Sequence, residues 1–244
     1  MNETLQTIMH LRSERQFTEE PINREDLETI LEASIRTANA SSRQAYSIIV
    51  ITDQEKIPVI CGYHGAALLV YCVDQNRLMD IAGYMKQEYE MGTTLDFLSG
   101  GTDAVLAAQT AVIAATSIGI ASLITNGVLR QNFHKLYELL NLPKERCFPM
   151  IGVVLGYSAS KEKHYKERLR NGVIHYDTYK HMTDSEIKEE IERFDSPEGK
   201  IGLATYSQWE KLGYSHYYEW FFQVWNRRSE DRLFPILQEA KYMN

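Results

Sequence analysis

A chain of 244 residues that is 44% hydrophobic and 24% charged can bury a substantial core, which excludes a disordered or collagen-like polypeptide. The formal net charge of −7 argues against a nucleic-acid binder, which presents a basic surface to phosphates. Three cysteines, Cys61, Cys72 and Cys147, with no CxxC spacing, give neither a disulfide framework nor a zinc ribbon and read as reduced, buried thiols of a cytoplasmic protein.

The opening residues MNETLQTIMH contain an acid and no basic-to-apolar progression, so no signal peptide is expected. Leu5, Ile8 and Met9 recur at helical spacing and predict a first helix to about Leu11. A polar segment, LRSERQFTEEPI, follows. Asn23 with Asp26 three residues on is close to a capping box, and Leu27, Ile30, Leu31, Ser34, Ile35 and Ala38 trace one face of the next helix. Residues 39–44, NASSRQ, read as a small polar loop, and 47–51, SIIVI, as a buried strand. Residues 68–73 predict a second strand. Residues 80–97 predict a helix broken at Leu98-Ser99-Gly100-Gly101, and an alanine-rich helix runs from about Thr102 to Gly119. The stretch from Ala104 to Ile124 is apolar enough to suggest a membrane span, but Gln109, Thr110, Thr116, Ser117 and Ser122, with Asp103 at its start, favour a helix in a globular core. Residues 120–125 predict a strand, Asn126-Gly127 a turn, Phe133 to Leu140 a helix stopped by Pro143, and 150–157 a third strong strand.

After Tyr157 the composition changes. A basic run, KEKHYKERLR, is followed by an acidic helical stretch over 182–200. A dense aromatic run over 206–225 must pack on its own core or on a partner subunit. Helices outnumber the strands lying between them, so the fold class is α+β with a central sheet.

No HExxH, GxSxG, GxxxxGK[ST] or post-strand GxGxxG motif is present, and the seven histidines form no i,i+4 pair. Neither a metal site nor a nucleophile beside a base is expected, and no side chain is assigned a catalytic role. Two places suit an anion instead. Arg12-Ser13-Glu14-Arg15 offers two guanidiniums around a hydroxyl, and in an extended segment residues 13 and 15 share a face. Lys166-Glu167-Arg168 sets two cations two residues apart. Taken alone, each is also what a solvated surface contains.

Taken in order, RSER with Phe17 and Pro21-Ile22, ASSRQAYSIIVITD, IGIASLITNG, LNLP, FPMIGVVLGY and KERLR resemble the nitroreductase superfamily, and most closely its NADPH-dependent flavin reductase and nitroreductase branch. The resemblance covers residues 4–180. It implies a nitroreductase-like α+β fold with a mostly antiparallel central sheet flanked by helices. Residues 1–180 would form the FMN-binding core. Residues 181–244 would form a helical, aromatic-rich extension that packs as an arm on the second subunit of a homodimer.

Carried over, the resemblance implies that Arg12, Ser13 and Arg15 hold the FMN phosphate, with Lys166 and Arg168 closing on it. Asn39, Ser41, Ser42 and Gln44 would reach the flavin of the other subunit, and Ile124, Thr125, Asn126 and Gly127 would line the isoalloxazine edge. The implied function is an FMN-dependent NAD(P)H oxidoreductase that passes hydride from nicotinamide to FMN and then to a small oxidised acceptor, with no nucleic-acid or membrane partner. The alternative is an FMN-binding protein without nicotinamide-dependent turnover. Two departures stand out. The connection between the first two strands is compressed to CGYHGAA, residues 61–67, where Tyr63 or His64 would have to supply flavin contacts, and Asn126-Gly127 replaces a Gly-Gly pair. Asn226-Arg227-Arg228 is similar to a basic segment for the NADPH 2′-phosphate.

Overall fold

The structure, a computed structural model, describes residues 1–90, 92–160, 168, 170–196, 206–225 and 233–243. Two compact units divide the chain: residues 1–161 with 231–244, and residues 162–230. The division expected at 180/181 therefore differs, because the C-terminal residues return to the first unit. There α10 (Leu233–Glu239) leads into Ala240 and Tyr242, both fully buried, with the Tyr242 ring against Phe97 and its hydroxyl donating to Arg146 O at 2.8 Å.

The first unit is built on a four-stranded antiparallel sheet of β1 (Tyr46–Ile51), β2 (Ala67–Asp74), β3 (Ala121–Thr125) and β4 (Cys147–Gly156), in the order β1-β2-β4-β3. β2 is apolar from Ala67 to Val73 because both of its faces are covered. Its odd positions Ala67, Leu69 and Tyr71 pack on the alanines of α5 (Thr94–Ser117), while Leu68, Val70 and Cys72 face α3 (Lys56–Cys61) and α6 (Phe133–Leu140). The buried Tyr71 hydroxyl is satisfied by Ser34 Oγ at 2.9 Å, which also donates to Ala107 O, so a polar pair pins α2 (Arg24–Ile35) to α5. The cap of α2 is as expected: Asn23 Oδ1 accepts the Asp26 N–H at 2.8 Å. A short α1 (Glu3–Met9) precedes it.

Three element boundaries differ from expectation. Residues 80–97 are not one helix: α4 (Asn76–Tyr84) ends early, and α5 starts at a capping box between Thr93 and Asp96. α5 then continues unbroken through Gly100-Gly101. A Cβ at Gly100 would lie 2.7 Å from Val73 Cγ1 and 2.8 Å from Ala45 O, so glycine there lets the helix approach the sheet, and packing outweighs helix propensity. β4 begins at Cys147 and runs through Pro149, which pairs with Cys72 beside a register shift at Tyr71/Cys72, the kind of irregularity at which proline is found within sheets. α5 is the one described helix long and apolar enough to cross a membrane, and its glycine and alanine face is buried against the sheet and α2, as in a core helix.

In the second unit, α7 (Asp184–Asp195) opens with a Thr183/Glu186 capping box. α8 (Tyr206–Lys211), α9 (Tyr217–Trp220) and a π turn (Phe221–Trp225) follow. The aromatic run packs on itself and on α7: Phe194 stacks on Tyr217 with centroids 4.9 Å apart, and Trp209 and Trp220 are buried. Glu190 Oε1 and Oε2 take a two-pronged bond from Arg193 at 2.8–2.9 Å, and Oε1 also takes the Tyr218 hydroxyl at 2.9 Å.

Candidate functional site

Residues 12–18 run extended across one end of the sheet. The Glu14 N–H donates to Ser122 O at 2.8 Å, beside a parallel bridge between Ser13 and Ser122. Further on, Thr18 N–H donates to Tyr157 O and Ala159 N–H to Gln16 O, both at 2.8 Å. An extended chain alternates its side chains, so Ser13 and Arg15 are exposed together while Glu14, between them, turns inward and is 3% exposed.

Glu14 is the residue that sequence reasoning missed. Its Oε1 accepts the backbone N–H of Arg15 at 2.8 Å and of Gln16 at 2.9 Å, and the Ser160 hydroxyl at 3.0 Å. Oε2 accepts the Ser158 hydroxyl and pairs with Arg12 Nη1 at 3.0 Å. Burial pushes its pKa up, but the bonds from Ser158, Gln16, Ser160 and Arg15 outweigh burial and hold it down at about 2. The one signal in the sequence was an acid between two arginines, with its serine partners more than 140 residues away.

Arg15 lines a cavity of about 570 Å³ with Phe17, Gly62, Tyr63, His64 and Gly65. The compressed 61–67 connection therefore lies beside the N-terminal anion segment. The third piece is the turn after β3. Ile124 is half-buried, Thr125 and Gly127 are buried, and Asn126 is exposed. Thr125 Oγ1 accepts the Gly127 N–H at 2.9 Å. Gly127 packs against the end of α3 so closely that a Cβ would collide with Cys61 O and lie 2.9 Å from its carbonyl carbon. Residues 12–15 and the 61–67 connection thus lie at the end of the sheet where β3 begins, while the 124–127 turn follows the other end of β3 and meets the connection only at its first residue, Cys61.

The 39–44 loop stands apart. Asn39 Oδ1 accepts the Gln44 N–H at 3.2 Å, and Ala40 N–H donates at 2.9 Å to Asp103, a buried carboxylate of α5. Arg77 donates to the carbonyls of Arg43 and Gln44. Ser41, Ser42 and Gln44 all have positive φ, of 53°, 55° and 49°. Such backbone strain persists only where surrounding contacts over-determine it, and Asp103 and Arg77 supply those contacts. Among the described residues no hydrogen bond or ion pair joins this loop to residues 12–16 or 124–127. Arg168 is exposed and belongs to the second unit, whereas Lys166 and Asn226-Arg227-Arg228 lie outside the described residues.

Ser13 and Arg15, exposed on the same side of the extended segment, with Arg12 beside them, offer donors that suit a phosphate monoester, and the uncharged Ile124–Thr125 wall suits a flat, weakly polar ring. A phosphorylated flavin fits the residues present.

The family model described as Nitroreductase family matches residues 8–101. The chain is 31% identical to an FMN reductase [NAD(P)H] of Bacillus subtilis over 207 residues, covering 80% of this chain and 81% of the relative. It is also 31% identical to an NADPH-flavin oxidoreductase of Vibrio harveyi over 197 residues, covering 77% of this chain and 79% of the relative. Among solved structures, NfrA2 of B. megaterium superposes with a TM-score of 0.84 at 25% identity, over 100% of this chain and 99% of that one. By sequence and by fold, this chain belongs to the nitroreductase family.

Proposed function

We propose that this protein is an FMN-dependent NAD(P)H oxidoreductase that reduces a small oxidised acceptor such as a nitroaromatic, a quinone or a free flavin. The observation that carries the reading is the exposed Ser13–Arg15 face with Arg12 beside it, lining a cavity with the 61–67 connection, in a chain whose relatives are named as flavin reductases and nitroreductases. The 12–15 segment would hold the phosphate, with Lys166 and Arg168 adding charge to offset a dianion. Ile124, Thr125, Asn126 and Gly127 would wall the flavin edge, and a backbone N–H of that turn would stabilise negative charge on the ring. FMN, when bound, supplies the hydride chemistry, and the chain positions it and excludes water. No proton-transfer dyad is required of the side chains.

The protein as purified is expected to be yellow and to oxidise NAD(P)H with menadione or nitrofurazone as acceptor. A colourless protein that gains no flavin band on addition of FMN would refute the reading. A yellow protein that neither nucleotide reduces would leave the alternative, flavin binding without turnover.

The 39–44 loop makes no hydrogen bond or ion pair with residues 12–16 among the described residues, which supports its service to a partner's flavin through Asn39, Ser41, Ser42 and Gln44. Leu95, Leu98, Val105, Leu106 and Ile118 of and just after α5 are exposed at 39–73%, an apolar surface that a second copy would cover. Light scattering at micromolar concentration is expected to give about twice 28.2 kDa, and a monomer would contradict the shared site. The aromatic segment of the second unit would serve as the dimer arm. The three buried free cysteines suit a reducing cytoplasm.

A further inference from the structure

Arg12 and Arg15 sit three residues apart in one segment, yet they meet different electrostatic surroundings. The Arg12 side chain is 18% exposed, with Nη1 3.0 Å from Glu14 Oε2 and Nη2 donating to Ser158 Oγ at 3.2 Å. Glu14 cannot turn away, because the same carboxylate holds two backbone N–H groups and two serine hydroxyls from across the sheet end. The Arg15 guanidinium is exposed, has no ion pair among the described residues, and lines the cavity beside Tyr63 and His64.

We propose that Glu14 is a positioning residue that takes up the charge of Arg12, so that Arg12 acts as a strut between residues 12–16 and Ser158, while Ser13 and Arg15 read the phosphate of FMN. The proposal rests on the FMN reading above and refines it. A guanidinium 3.0 Å from a carboxylate presents a dipole to a third charge. Any phosphate within reach of Arg12 feels the repulsion of Glu14 at nearly the same range, and the two contributions largely cancel. Arg15 keeps its whole charge. Arg12 therefore supports binding by fixing the backbone that carries Ser13 and Arg15, and Arg15 supports it by attraction.

FMN and riboflavin differ only in the phosphate, so the ratio of their affinities isolates phosphate reading from ring binding. Both flavins are titrated into apoprotein and followed by quenching of flavin fluorescence. In the wild type FMN binds more tightly than riboflavin. Arg15→Ala is expected to lower the FMN:riboflavin affinity ratio by about tenfold or more, the loss of a charge-assisted bond. Arg12→Ala is expected to weaken both flavins by a similar factor and to leave the ratio within about twofold, as loss of a strut requires. Glu14→Gln is expected to raise the ratio several-fold, because it frees the charge of Arg12, even though the protein melts at a lower temperature. A fall in the ratio in Arg12→Ala as large as that in Arg15→Ala would overturn the proposal, and so would an unchanged or lower ratio in Glu14→Gln. If Glu14→Gln does not fold, the comparison of the two arginine variants decides alone. A wild type that quenches neither flavin would instead overturn the FMN reading, and this assignment of the phosphate with it.

Discussion

Replacing Glu14 with glutamine is expected to cost about 3 kcal/mol of stability at pH 7 and only a few tenths at pH 2. The carboxyl group drops from an ordinary 4.5 to about 2 on folding, because four hydrogen bonds to the charged form outweigh the cost of burying it. A group whose folded pKa is depressed stabilises the protein above its unfolded value and loses that stabilisation as pH falls. The window here runs from about pH 4.5 down to about pH 2. Glutamine keeps the size and one acceptor oxygen but carries no charge, so the variant approximates the protonated protein at every pH. Urea denaturation of both proteins at pH 7, 4 and 2.5 checks this. Other carboxylates titrate alike in the two proteins and cancel in the difference. A gap that stays constant from pH 7 to pH 2.5 would mean that the ionised carboxylate is not the stabilising species.

Gly127→Ala is expected to destabilise the protein by about 3 kcal/mol, a fall in melting temperature of roughly 6–12 °C for a chain of this size. The added methyl group would collide with the backbone oxygen of Cys61 and sit 3.1 Å from Thr125 Oγ1. Neither side can yield at low cost. Cys61 ends α3, whose Ile57, Ile60 and Cys61 are buried in the core, and Thr125 is bonded to the Gly127 N–H and paired with Gly152 of β4. The strain would also move the Ile124–Asn126 wall, so flavin retention should fall with stability. Gly83→Ala is the control: it lies near the end of α4 with nothing within 4 Å of the added atom, and is expected to be neutral or slightly stabilising. Thermal melts of the two variants against wild type make the comparison, and equal melting temperatures would show that the turn relaxes freely.

Both expectations turn on contacts between residues far apart in the chain, and the same property divides what could be read before the fold was known. β2 was legible because LLVYCV is apolar at every position, the pattern of a strand covered on both faces, and β1 because SIIVI is β-branched and apolar after its first residue. The start of α2 was legible because Asn23 caps it within three residues. The alternation that exposes Ser13 with Arg15 was legible because it is a property of any extended chain. Each of these depends on interactions within a few residues, or on a periodicity that records which side meets water.

The tertiary structure decided the rest. Gly100-Gly101 stay helical because Val73 and Ala45 press against them, and Pro149 sits in the sheet beside a register shift against β2. Glu14, one more charge in a polar run, is buried because the sheet brings Ser158 and Ser160 to it from more than 140 residues away. Local propensity reports how a segment meets solvent. Which charges are neutralised and which remain free to meet a ligand depends on the neighbours that chain topology supplies. In this family member, the sequence alone determined where the strands lie, the cap of α2 and the ordered segments that carry the kinship. Only the folded chain distinguished the arginine that is tied down from the one left open.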